Sequence, residues 1–203
     1  MMGVWGWWAF DIFTLIASYL SQEIISAQTI MRSLGLLTFM IPVGFAKACA
    51  YYVGIFIGKG QEQLIKHYYN VAMLLSIITG LLQILILWAL REQVINMYTN
   101  RDVVKEQMRL AWPAFLIFVF FDTTQGIGSS AVRASGNQKM GAFITGLAYW
   151  AIGIPITCLL VFWKSVGILG IWIGPTASVL FITIAYQVIV VQTDWQALII
   201  KNA

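Results

Sequence analysis

The chain is a succession of long apolar stretches separated by short polar breaks. SQE at 21–23, GKGQEQ at 58–63 and RASGNQK at 133–139 are such breaks. Six stretches lie between and around them, at about 3–20, 24–57, 66–90, 101–132, 139–163 and 166–191. A bilayer core about 30 Å thick takes about 20 helical residues to cross. No turn-and-alternation pattern of strands appears, and an open sheet would leave its backbone unpaired in lipid. The pattern therefore predicts an all-α integral membrane protein, a single six-transmembrane-helix bundle over residues 1–203. The second stretch would be about 50 Å long if wholly helical. Pro42, in MIPVGF, removes a backbone donor near its middle, where a kink is expected; Pro113, Pro155 and Pro175 can do the same elsewhere. Gly58 and Gly60 should end that helix. Asn100 is the expected N-cap of the fourth helix, with Asp102 in its first turn. Trp88, Trp112, Trp163 and Trp195 fall near span ends, where aromatic side chains anchor at the interface.

Composition strengthens this picture and narrows it. Of the 203 residues 60% are apolar and 10% charged, too few charges to keep a soluble domain of this size in solution. The N-terminus has no basic region or small-residue cleavage site and reads as the first span, not a signal peptide. A scattered net charge of +4 does not point to nucleic acid. Cys49 and Cys158 lack metal-ligand spacing, and the single histidine, His67, has no second ligand near it and reads as an interfacial residue. There is no HExxH, GxSxG, Walker loop or Cys/His cluster, so no enzyme chemistry is expected and no cofactor. Six spans would put both termini on one side. Lys59, Lys66, Arg133, Lys139 and Lys201 then face Arg91, Arg101, Lys105, Arg109 and Lys164 across the membrane, so loop charge alone does not orient the chain.

The fourth helix is expected to begin on the membrane surface and enter the bilayer near Trp112, so that four charges fall within the membrane, Asp11, Arg32, Lys47 and Asp122, the last of them near the middle of residues 112–132. Ionisable groups at such depth are rare and usually face a bundle interior or an aqueous cavity. Two readings follow. In the first, Asp11 and Asp122 bind a proton or a cation in a shared cavity. Desolvation and a neighbouring carboxylate both favour the protonated form of an acid, so a cationic solute and a proton would compete for the same groups. Trp7 and Trp8 could then offer aromatic faces to an organic cation. In the second, the two acids pair with Arg32 and Lys47 and lock helices together. Those two cations are fifteen residues apart, which puts them within about 60° of one helix face; Lys47 could instead snorkel toward the helix end.

Several blocks resemble one family. WWAFD (7–11), SAQTI (26–30), MIPVGF (40–45) and VGIFIGKGQ (53–61) occur in order, followed by FDTTQGIGSSAVRASGNQKMGA (121–142), LAYWAIGIPI (147–156), GILGIWIG (167–174) and QTDW (192–195). In order and spacing they resemble the C-terminal six-helix lobe of eukaryotic multidrug and toxic compound extrusion (MATE) transporters. The resemblance implies half of an antiporter that exports organic cations or other xenobiotic solutes in exchange for protons or sodium. It implies that Asp11 and Asp122 share one pocket, with Trp7, Trp8, Gln28, Gln125 and Tyr149 as cavity-lining residues, and that both termini are cytoplasmic. The partners implied are membrane lipids, a small-molecule substrate and a second six-helix lobe, either a missing N-terminal half, a separate chain or a second copy. The alternative is a non-transporting structural subunit of a larger membrane complex. The sequence departs from the family at Gly6 and Ser33, where relatives carry acids, at Tyr52 and Ile55, and at Lys47, where relatives have a small or apolar residue. These changes make the cavity less anionic and leave room for a neutral or anionic solute.

Overall fold

The computed structural model describes the backbone of residues 2–202 and the side chains of residues 4–200; the side chain of Lys201, counted above among the loop charges, lies outside them. The chain is all helical: α1 (Met2–Ser18), α2 (Gln22–Gly58), α3 (Glu62–Ala89), α4 (Arg91–Tyr98), α5 (Asp102–Ala134), α6 (Gln138–Trp163), α7 (Ile168–Gln192) and α8 (Trp195–Asn202). Five of these, α2, α3, α5, α6 and α7, are long and apolar enough to cross a membrane. The 17 residues of α1 reach only about 25 Å, so the first expected span is shorter than the hydropathy pattern suggested.

Helix α5 is the centre of the bundle and packs against α2, α3 and α7, while α1 lies across α6 and α2. Phe115, Phe118 and Trp172 form a buried aromatic cluster between α5 and α7, which Phe10 of α1 joins. Between helices in lipid the hydrophobic effect gives little drive, and packing and polar contacts decide. Three such contacts stand out. Gln83 of α3 donates to the Thr38 carbonyl of α2 at 2.8 Å and accepts from Thr123 of α5 at 3.0 Å. Tyr69 of α3 donates to Gln187 of α7 at 2.6 Å. The hydroxyls of Tyr186 and Thr145 lie 2.7 Å apart, joining α7 to α6.

The prolines do not break their helices. Pro42, Pro113 and Pro175 lie inside continuous α2, α5 and α7. In α6 the turns on either side of Pro155 widen into π-helix, at Leu147–Gly153 and Leu159–Trp163. A proline has no N–H to donate and its ring crowds the carbonyl four residues back, and a wider turn relieves both. Helix α2 begins at Ser21, whose hydroxyl accepts from the Ile24 N–H at 3.2 Å, and it ends at Gly58, as the glycine pair predicted, with Gly60 at φ +70°. Asn100 is not the cap of α5. The helix starts after Arg101, whose N–H is held by the Thr99 hydroxyl at 3.2 Å, while Asp102 does occupy the first turn. Of the four tryptophans expected at the interface, Trp88 and Trp163 are exposed, but Trp112 and Trp195 are buried in the packing. His67 packs edge-on against Tyr68.

The polar connection after α3 folds as the short helix α4. Glu92 of α4 is clasped by Arg109 of α5 through Nε at 3.0 Å and Nη2 at 2.7 Å. The Arg109 bond holds the Glu92 carboxyl below its ordinary value of 4.5. A depressed acid contributes stability above its unfolded pKa and loses it as pH falls through its folded one. Protection of the α4 amides, their exchange rate set against the intrinsic rate at each pH, should therefore be steady from neutral pH down to about 4.5, the ordinary carboxylate value, and fall below it. Arg109→Gln should shrink that pH step, with Arg91 still bonded to Glu92.

Candidate functional site: a cavity between α1, α2, α5, α6 and α7

A cavity of about 430 Å³ opens between these five helices. Its α5 wall is one helical stripe, Phe118, Asp122, Gln125, Ser129 and Arg133, with Gly126 and Ser130 beside it; the stripe residues are three and four apart, as one face requires. The α2 wall carries Arg32 at one end and Lys47 toward the other, with Gly35, Leu36, Phe39 and Val43 between them. Trp7 and Phe10 of α1, Tyr149 of α6, and Trp172 and Tyr186 of α7 complete it. The widened π turn of α6 carries Tyr149, a feature often found at functional positions.

Helices α2 and α5 run parallel and in step. The Cβ position of Gly35 meets the Phe115 ring, and that of Gly126 meets Ala46, an offset of 80 residues at both points. Asp122 is thus level with Pro42, Arg32 lies about 15 Å before it, and Lys47 about 7 Å beyond it at 1.5 Å per residue. Asp122 is half-buried and its only hydrogen-bonding side chain among the described residues is neutral: Gln125 Nε2 donates to Oδ1 at 3.0 Å. Tyr149 lines the same cavity.

Of the residues singled out from the sequence, Asp122, Gln125, Tyr149, Trp7, Arg32 and Lys47 line this one cavity. Asp11, Trp8 and Gln28 are not part of its lining. The Asp11 side chain is 63% exposed and accepts from Arg32 Nη2 at 2.7 Å. It therefore reaches the cavity only through Arg32, and the two acids do not form one shared wall. Trp8 is exposed and packs edge-on against Trp5. Gln28 is buried, with Oε1 lacking a hydrogen-bond partner among the described residues. The expected second bridge is absent: among the described residues neither Asp122 nor Lys47 has an ion-pair partner. Arg133, Ser129 and Tyr186 were not foreseen as site residues. The i, i+3, i+7, i+11 spacing from Asp122 to Arg133 was the available signal for the α5 members.

In the Asp11–Arg32 pair the acid is largely exposed and the Arg32 side chain only 25% so. A double-mutant cycle with Asp11→Asn and Arg32→Gln should give a favourable coupling, measured by thermal unfolding in detergent; additive effects would show that the bridge contributes nothing to stability.

Comparison with known proteins agrees with this architecture. The MatE family profile matches residues 2–159. Multidrug and toxin extrusion protein 2 of Mus musculus is 29% identical over 189 residues, covering 93% of this chain and 33% of that protein. Multidrug and toxin extrusion protein 1 of Homo sapiens is 25% identical over 191 residues, covering 94% and 33%. The chain thus spans about a third of the length of the curated relatives it matches. The crystal structure of the eukaryotic MATE transporter AtDTX14 superposes with a TM-score of 0.92, over 97% of this chain and 44% of that one, at 24% identity. At that identity the likeness speaks for the fold: an all-helical lobe of a MATE transporter. With a family match covering most of its residues, and apolar helices that make it an integral multi-pass membrane protein, this chain belongs to the MatE family.

Proposed function

We propose that this chain is one solute-binding lobe of a MATE-type secondary transporter that moves organic solutes in exchange for protons, with Asp122 as the carboxylate that takes up and releases the coupling ion. The observation that carries this reading is the state of Asp122. It sits on a cavity wall in a stretch of α5, residues 110–132, that is otherwise uncharged, beside Gln125 and without an ion-pair partner among the described residues. A structural carboxylate at that depth would be paired, and Asp11 is. Asp122 is left able to change protonation state inside a space large enough for a solute.

One lobe supplies one wall. Exchange by alternating access needs a second body against which the first can rock, so the working unit contains a second six-helix lobe, whether part of a longer polypeptide, a separate chain or another copy. The rival reading, a structural subunit without transport, draws support from the Asp11–Arg32 bridge.

The assembly that copurifies with the chain from its native membrane tests the choice. Its intact mass should reveal a second six-helix unit. In acid-loaded vesicles it should collapse the pH gradient when aromatic solutes are added outside. A complex without a second lobe, in which no solute moves protons, would leave the structural reading standing and remove this one.

A further inference from the structure

The charges around the cavity point to the class of solute. Its described lining carries three cations, Arg32, Lys47 and Arg133, and one carboxylate, Asp122. Arg32 is already bound to Asp11, so its charge is largely answered. Lys47 has no ion pair and no hydrogen-bonding partner among the described residues. Arg133 has only a long contact, 3.4 Å, to the Ser129 hydroxyl. Two unanswered cations therefore stand against one acid. They are also placed together. From the shared register of α2 and α5, Lys47 is level with Ile127, so Arg133 lies about 9 Å beyond it at 1.5 Å per residue. Both lie on the same side of Asp122, toward the C-terminal end of α5. Beyond Asp122 in the other direction the walls turn aromatic, with Phe10 and Phe39 partly exposed over the buried Phe118 and Trp172. Both cations are exposed, Arg133 in the last turn of α5, where an entering solute would meet them.

We propose that the cavity accepts an organic anion: a flat aromatic body lying against Phe10 and Phe39, with a carboxylate or sulfonate directed to Lys47 and Arg133. This deepens the transport reading above and rests on the cavity being a solute site. Competition between proton and solute for one carboxylate, the simplest exchange scheme, suits a cationic solute. With an anion, exchange follows from the lobe arrangement each ligand favours.

The test uses two probes with the same ring system and opposite fixed charge, naphthalene-2-sulfonate and naphthylmethyl-trimethylammonium. Binding to the full chain in nanodiscs of zwitterionic lipid is measured by calorimetry. The sulfonate should bind more tightly and weaken as salt rises. Lys47→Gln and Arg133→Gln should each weaken it roughly tenfold, the scale of one charge-assisted contact. Lys47→Arg, which keeps the charge, should retain most of the affinity and so separate loss of charge from misfolding. Tighter binding of the ammonium probe, or sulfonate affinity indifferent to Lys47→Gln and Arg133→Gln, would overturn the anion assignment and leave the solute site intact. If neither probe binds, both fall.

Discussion

Replacing Asp122 with asparagine is expected to abolish the dependence of solute flux on the proton gradient while leaving the protein inserted and present in normal amounts. The two side chains have nearly the same shape. Gln125 can donate to the amide oxygen of asparagine as it donates to Oδ1 of Asp122, 3.0 Å away. The change therefore removes a titratable proton and a negative charge with little else disturbed. Flux is measured in vesicles at two internal pH values, using the assembly purified with the chain. The wild type should respond to the gradient and the variant should not. Static binding gives a second readout: loss of the acid leaves Lys47 and Arg133 unopposed, so the sulfonate probe should bind more tightly. A variant that still follows the proton gradient would show that coupling resides elsewhere.

The second large effect concerns packing. A Cβ on Gly174 would overlap the Thr157 hydroxyl and stand 2.6 Å from the Gly153 carbonyl oxygen. A flexible side chain could move away, but a helix carbonyl cannot without parting α6 from α7. Gly153 is confined in turn, with the Gly174 carbonyl 3.3 Å from its own Cβ position and the Ser178 hydroxyl closer still. Backbones approach this closely in membrane bundles only where both residues are small. Gly174→Ala should therefore cost about 1–3 kcal/mol or more, the usual range for overpacking. At this chain length each kcal/mol corresponds to about 2–4 °C in the unfolding midpoint. Gly44→Ala is the matched control. Nothing lies within 4 Å of its Cβ position, and alanine favours a helix interior by about 0.5–1 kcal/mol over glycine. It should be neutral or stabilising. Equal midpoints for the two variants would contradict the contact between α6 and α7.

Much of this arrangement was visible in the residue order. Hydropathy marked out helical stretches and their breaks, because a bilayer tolerates few other ways of burying backbone. Gly58 and Gly60 ended α2 as their conformational freedom suggests. The common face of Arg32 and Lys47 came from counting along a helix, and both line the cavity. The cap of α5 was misplaced by a residue: the helix starts after Arg101, whose N–H is held by the Thr99 hydroxyl. Trp112 and Trp195 were sent to the interface by their positions in the sequence, yet each found a packing site that buries more of the ring.

Local rules set the helices, the family and the presence of charge in the membrane, since each depends on neighbours within a few turns. Which charges answer one another depended on tertiary packing. The rotation of α1 against α2 turned Asp11 toward Arg32 and away from the cavity, while α5 turned Asp122 inward beside Gln125. Those orientations arise from contacts between segments far apart in the chain, and helical periodicity within any one segment does not contain them.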